Sequence, residues 1–207
     1  MTRTISVAAD VFRRILPHVS TDRPTLSGVL FEASGVVVAT DGHTLAAIPN
    51  AVEGLTADVI VKFPEPRKLT PQKVERVTLT FSDDAPSVAV TMYDAYDRTI
   101  GASYGEVIEG PYPSWRHIVQ TFGERRPVEA MGIDPEKLAR FTEYVVGKKH
   151  RAPAVTLDFN GPERAVVVRW DDSEGVGFIM PCRTNGLPIG VPAWLAPADT
   201  PAALAAA

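Results

Sequence analysis

Val36-Val37-Val38-Ala39-Thr40-Asp41-Gly42-His43-Thr44-Leu45-Ala46-Ala47-Ile48 consists of two apolar runs that meet at an Asp-Gly pair. Asp-Gly between alternating apolar residues is the strongest short-range signal for a β-hairpin, because a tight two-residue turn needs positive φ at both central positions. The segment therefore reads as a buried hairpin turning at Asp41-Gly42.

The flanking sequence repeats one pattern. Ile5-Ser6-Val7 predicts a short strand, and Asp10 to Leu16 a helix with Val11, Phe12, Ile15 and Leu16 on one side. Arg13 and Arg14 then face away from that stripe, and Pro17 ends or kinks the helix. Leu26 to Phe31, Val36 to Thr40, Thr44 to Ile48 and Val59 to Phe63 are the next expected strands. Residues 64 to 76 hold Pro64, Pro66 and Pro71, with room for no more than a turn of helix at Thr70-Pro71. Val77 to Phe81, Ser87 to Met92 and Arg98 to Val107 follow as strands. From Val128 the first pattern returns: a short strand to Ile133, Asp134 as N-cap, Pro135 in the first turn, a stripe of Leu138, Phe141 and Val145, and Gly147 as the stop. Val155 to Phe159, Ala165 to Trp170 and Val176 to Met180 close the series. The expectation is three strand-helix-meander units, near 1 to 56, 57 to 122 and 123 to 183, the middle one having lost most of its helix.

Composition narrows the function classes. A chain of 207 residues with 45% apolar content can bury a real core. No apolar run is long enough for a membrane helix, and Thr2-Arg3-Thr4 leads straight into amphipathic sequence, so neither a membrane partner nor a targeting segment is expected and the location is read as cytoplasmic. The single cysteine, Cys182, excludes an internal disulfide framework and reads as a buried reduced thiol. A net charge of -4 argues against a generally basic nucleic-acid binder but leaves room for a local basic face. The four histidines, at 18, 43, 117 and 150, have no His-x-x-x-His spacing, so no metal site and no cofactor are expected. Asp41 reads more readily as a turn aspartate bonding its own backbone than as a metal ligand. Gly35, Gly42 and Gly110 form no phosphate loop, and no Ser occupies a Gly-x-Ser-x-Gly elbow. No catalytic constellation is present.

Three stretches, in order, carry a family resemblance. Ala39-Thr40-Asp41-Gly42-His43-Thr44-Leu45-Ala46 resembles the Ala-Thr-Asp-Gly/Ser-His-Arg-Leu-Ala segment in the middle domain of bacterial DNA polymerase III β sliding clamps. Glu109-Gly110-Pro111-Tyr112-Pro113-Ser114-Trp115-Arg116-His117-Ile118 is similar to the clamp pattern Asp/Glu-Gly-x-Phe/Tyr-Pro-Asp-Tyr-x-x-Val between the middle and last domains. Gly177-Phe178-Ile179-Met180-Pro181-Cys182-Arg183 is similar to the Tyr-Val-Val-Met-Pro-Met-Arg clamp ending. Arg23 to Glu32 also resembles the family's first long strand after its helix. The resemblance implies an α+β, DNA-clamp-like fold of antiparallel meander sheets with two principal helices. It implies a clamp-like domain over 1–122, a clamp-like half domain over 123–183 and a Pro/Ala-rich tail over 184–207, in which Leu187-Pro188-Ile189 and Trp194-Leu195 are the apolar exceptions. Relative to the family pattern the chain lacks the first domain, the first half of the last domain and most of one helix.

The same resemblance implies a pocket for the short linear motifs of clamp clients, formed by Leu26, Thr40, Gly42, His43, Thr44, Leu45, Pro113, His117, Ile118, Phe178, Ile179, Met180, Pro181, Cys182 and Arg183. Thr44 and His117 stand where arginines are usual, and Cys182 where a methionine is common, so a less basic pocket is implied. The residue types fit independently, since a peptide groove needs apolar depth with a few polar groups at its rim. Leu45, Ile118, Ile179 and Met180 supply depth, and His43, His117 and Arg183 rim donors. Clamps also turn helices toward DNA and hold phosphates by salt-dependent contacts, which makes Arg13, Arg14, Lys137, Arg140, Lys148 and Lys149 the candidate DNA-facing residues. Stabilising a helix C-terminus and solubilising a surface are the competing roles for those cations.

The reading is a non-enzymatic, sliding-clamp-like processivity or accessory factor for DNA replication or repair, binding clamp-binding motifs of polymerases and repair factors, contacting DNA non-specifically and encircling it as a self-associated oligomer. The alternative is a clamp-derived, free-standing peptide-binding regulator that does not encircle DNA. A nuclease using Asp41, Asp83, Asp84 or Asp94 has almost no sequence support.

Overall fold

A computed structural model describes residues 2–82, 85–120, 127–141, 155–171 and 173–183. Asp83, Asp84, Val145, Gly147, Lys148, Lys149 and the 184–207 tail lie outside the described residues. The strands are β1 (Thr2–Ala8), β2 (Val29–Phe31), β3 (Val37–Thr40), β4 (Thr44–Ile48), β5 (Val59–Lys62), β6 (Arg76–Ser82), β7 (Ala85–Tyr93), β8 (Thr99–Ile108), β9 (Val155–Asp158), β10 (Val166–Trp170) and β11 (Val176–Ile179). They pair antiparallel in one sheet, ordered β1-β6-β7-β8-β5-β2-β3-β4-β11-β10-β9. The helices are α1 (Ala9–Ile15), the single turn α2 (His117–Gln120) and α3 (Pro135–Ala139). The architecture is thus α+β as expected, an antiparallel sheet with two principal helices, α1 and α3.

Most expected strands match to within two residues, β1 begins three residues earlier than expected, at Thr2, and the larger differences have local causes. Only Val29–Phe31 of the expected 26–31 strand is extended, because Pro24–Ser27 winds into a 3-10 turn that the Ser27 hydroxyl closes on Pro24 O at 2.7 Å. Proline fixes φ near the helical value and has no N–H for a ladder, which favours the turn. At 64–76 the helical turn is Pro66–Lys68 and not Thr70–Lys73. The expected strand at 128–133 is reduced to a single bridge between Gly132 and Cys182. Asp134 does cap α3, its carboxylate accepting the Glu136 amide at 3.0 Å, with Pro135 at the first helical position.

The sheet is covered on both faces around its middle, which is why β2, β3 and β4 are buried at every residue. On one face Phe12 and Ile15 of α1 pack with Val37, Ala39, Ala46 and Ile48, and Phe12 meets Phe63 edge-on at 5.4 Å. Burying each such side chain contributes about 1.5–3 kcal/mol. On the other face Leu30, Val38, Leu45, Ala47, Ile60, Val167 and Phe178 form a second core, against which Tyr112, Trp115 and Ile118 pack. β9, β10 and β11 join the rest of the sheet through the β4–β11 pair, in register from Val176↔Ala47 to Ile179↔Thr44. Gly177 in β11 makes room for Phe141, whose ring would lie 2.0 Å from a Cβ placed there.

Two expected DNA-facing residues turn inward. Arg14 is 3% exposed, pairs with Asp10 at 3.4 Å and lies over Trp170 at 5.3 Å. Arg13 donates to the carbonyls of Thr70 at 3.0 Å and of Pro71 at 2.9 Å, on the segment after the Pro66–Lys68 turn. Both lie off the apolar stripe of α1 as the sequence implies, but the chain folds back over that side. Cys182 is exposed, not buried, because it follows the last strand and offers only its backbone to Gly132.

Candidate functional site

The β3–β4 turn begins with register. Thr40 pairs with Leu45, and Asp41 N donates to Thr44 O at 3.3 Å, so the central pair is Gly42-His43 and not Asp41-Gly42. Gly42 has φ +89, and neither Asp41 nor His43 has positive φ. This is the turn pattern with glycine at the first central position. The one-residue shift has a cause in the Asp41 side chain: Oδ1 accepts the His43 amide at 2.8 Å and the Thr44 amide at 2.7 Å. A turn aspartate that binds the following amides takes the corner position itself. The His43 carbonyl in turn accepts the Met180 amide at 2.8 Å, tying the turn to the end of β11.

Around this turn lies a cleft of about 260 Å³ lined by Arg23, Leu26, Thr40, Gly42, His43, Thr44, Leu45, Pro113, Ser114, Trp115, Ile118, Phe178 and Met180. Three separate stretches of chain thus meet: the hairpin, the connector at 113–118 and β11. Met180 is 41% exposed, an unbranched side chain at the mouth. Leu45 and Phe178 form the floor, exposed by 1% and 4%.

The expected residues divide. Leu26, Thr40, Gly42, His43, Thr44, Leu45, Pro113, Ile118, Phe178 and Met180 come together here. Ile179 does not: successive strand residues point to opposite faces, and it is buried in the helix-side core. His117 lines a second, larger cleft of about 640 Å³ on the other side of the connector, which shares Pro113, Ser114 and Trp115 with the first. Pro181, Cys182 and Arg183 are not among the lining residues of either cleft. Arg140 and Lys137, expected to face DNA, make ion pairs with Asp41 at 2.7 Å and with Asp134 at 3.5 Å.

The connector forming the shared wall is hooked from below. Glu32, at the end of β2, accepts Trp115 Nε1 at 3.0 Å and both terminal nitrogens of Arg116 at 2.6 Å, while Ser34 donates to it at 2.7 Å. Burial pushes this carboxyl up, but the donors outweigh it and hold it at about 2. Arg116 also stacks on Trp115 at 4.2 Å.

Behind the turn is a polar cluster. Thr44 Oγ1 lies 3.0 Å from Nδ1 of His18, a fully buried ring against Phe141. Arg140 Nη1 donates to Asp41 Oδ2 at 2.7 Å and to Thr44 Oγ1 at 3.2 Å. Burial, aided by nearby Arg140 and opposed by Asp41, lowers His18 to about 3, so the ring is neutral. Burial raises Asp41, but the Thr44 and His43 amides and Arg140 more than offset it and hold it at about 2. Sequence reading missed Arg23, Ser114, Trp115, His18, Glu32 and the inward role of Arg140. For Ser114 and Trp115 the signal lay within the connector motif itself; the others are brought in by distant parts of the chain.

No protein-family model matches the chain, and a search of curated proteins finds no match. Solved structures do match. DNA polymerase III subunit beta from Borrelia burgdorferi superposes with a TM-score of 0.63 at 15% identity, covering 87% of this chain and 63% of that one. The β chain of Streptococcus pneumoniae gives 0.57 at 17% identity, covering 86% and 64%. The sliding clamp of Bacillus subtilis gives 0.54 at 17% identity, covering 88% and 64%. The chain thus spans less than two thirds of the length of these clamps, and it has the fold of the DNA polymerase III β-subunit sliding clamps in shortened form.

Proposed function

We propose that this chain is a non-enzymatic, clamp-like accessory factor in DNA replication or repair that docks short peptide segments of polymerases or repair proteins in the cleft between the Gly42-His43 turn, the 113–118 connector and β11. The observation that carries the reading is the meeting of three motif stretches, far apart in sequence, around one apolar cleft with a polar rim. Among the described residues no helix is long and apolar enough to cross a membrane, and a cytoplasmic location belongs to the same proposal. So do unit boundaries near 122 and 183, self-association, and non-specific DNA contact. Lys137, Lys148 and Lys149 are the candidates for that DNA contact, because Arg13, Arg14 and Arg140 are engaged within the fold.

The test is a titration of a labelled peptide carrying a bacterial clamp-binding sequence. A short linear motif buries little apolar area and loses chain entropy on ordering, so a micromolar Kd, roughly -8 kcal/mol, is expected. Met180→Asp places a charge at the cleft mouth on a side chain that is already 41% exposed, so the fold survives. Binding is expected to weaken at least tenfold, about 1.4 kcal/mol. Unchanged affinity in Met180→Asp with an intact fold rules the cleft out as the docking site.

A further inference from the structure

We infer that Arg140 is a positioning residue for this cleft, holding the Gly42-His43 turn in its binding shape from a helix that lies elsewhere in the chain. The inference rests on the peptide-docking reading above. Both turn amides, His43 N and Thr44 N, end on one oxygen of Asp41, at 2.8 and 2.7 Å. The shape of the turn therefore follows the position of that carboxylate. The other oxygen, Oδ2, receives Arg140 at 2.7 Å, and the same guanidinium nitrogen reaches Thr44 Oγ1 at 3.2 Å.

Arg140 can act as an anchor because its own backbone is fixed. It is the C-cap residue of α3, and the next residue, Phe141, is fully buried, 4.4 Å from the His18 ring and 5.7 Å from Trp170. The Trp170 indole donates to the Phe141 carbonyl at 3.0 Å. The ion pair is shielded, with Asp41 exposed by 12% and Arg140 by 31%, so it is less screened than a surface pair. Arg140 does not line the cleft. Its influence on a ligand passes through Asp41, whose amide partners carry His43 to the rim. Thr44 stands between Asp41 and the buried His18, which confines the hydroxyl from behind at 3.0 Å.

The experiment compares wild type, Arg140→Ala, Arg140→Lys, Asp41→Asn, the Arg140→Ala/Asp41→Asn double variant and Val168→Ala in the full chain. Val168→Ala is a stability control in the helix-side core, away from the cleft. Each protein is titrated with the labelled clamp-binding peptide, and amide hydrogen exchange is followed at Gly42, His43 and Thr44. Arg140→Ala is expected to weaken peptide binding about tenfold and to lose protection at the turn amides, with Arg140→Lys intermediate. The double variant is expected to be no weaker than the weaker single one, the signature of one coupled unit. Val168→Ala lowers stability without moving Kd. Wild-type affinity in Arg140→Ala, additive losses in the cycle, or an equal affinity loss in Val168→Ala overturns the inference while leaving the docking reading intact. If wild type binds no peptide the docking reading fails, and unchanged turn exchange in Arg140→Ala then overturns the positioning role as well.

Discussion

At the scale of single residues, the most consequential side chain is one that no motif announced. His18 follows Pro17 in a 3-10 turn and is fully buried beside Thr44 and Phe141. Its folded value of about 3 lies below the ordinary 6.5, so the unfolded chain takes up a proton over a range where the folded chain does not. Stability from this group is fully present above pH 6.5 and is lost as pH falls toward 3. Between pH 6.5 and 5 the loss amounts to about 2 kcal/mol. Asp41 and Glu32, both held at about 2, have the opposite reference: their stabilisation is present above the ordinary carboxylate range and is lost only as pH falls from there toward 2. The two effects therefore separate in pH. Urea unfolding at pH 7 and pH 5 is expected to show the decline in wild type and to lose most of it in His18→Phe. An equal decline in His18→Phe would assign the slope to other groups.

At the scale of elements, the connector shows how the cleft wall is held and why sequence reveals only part of it. The 109–118 motif was legible as a link through its resemblance to the clamp pattern, which rests on contiguous residues. That Glu32 fastens it was not, since a carboxylate 84 residues away leaves no mark on the motif. Removing the cation with Arg116→Ala leaves Glu32, 7% exposed, with only Trp115 and Ser34. Arg116 is 54% exposed, which discounts the pair for solvent screening, and a loss of about 1–2 kcal/mol is expected from urea unfolding, together with a red shift of tryptophan emission as Trp115 loosens. No change in either would mean that the connector is held by its apolar packing alone. The same division runs through the fold. β-Branched content and turn punctuation placed β3 and β4, alternation placed β7, and local capping chemistry placed the start of α3. What sequence did not reveal is where three of the expected cations point: Arg13, Arg14 and Arg140 each lie off an apolar stripe, yet another part of the chain packs over that side. Helical periodicity reports the face turned to the nearest core and is blind to a second layer. The turn register was missed for a related reason, because the Asp41 side chain competes with the backbone hydrogen bond that the Asp-Gly rule assumes.

At the scale of the whole molecule, the eleven-stranded sheet ends in β1 and β9, and the two ends differ. Among the described residues, each of these strands pairs on one side only. An open edge is a template for another chain unless charges or irregular backbone blunt it. β1 alternates polar exposed residues, Thr2, Thr4 and Ser6, with buried Ile5 and Val7 and carries Arg3, which blunts it. β9 has half-buried Val155 and Leu157 and is followed by Phe159, 38% exposed, so it presents apolar surface at its end of the sheet. Identical chains satisfy such an edge most simply by a two-fold contact in which each β9 meets its counterpart antiparallel. Light scattering at tens of micromolar is therefore expected to give a concentration-dependent mass rising above 22.4 kDa toward about twice that value. Phe159→Lys adds a charge beside the contact on a side chain already partly in solvent, and it is expected to return the mass to that of one chain without lowering thermal stability. A mass of one chain in wild type at every concentration would refute self-association. A dimer indifferent to Phe159→Lys would place the contact elsewhere, with β9 then covered within its own chain.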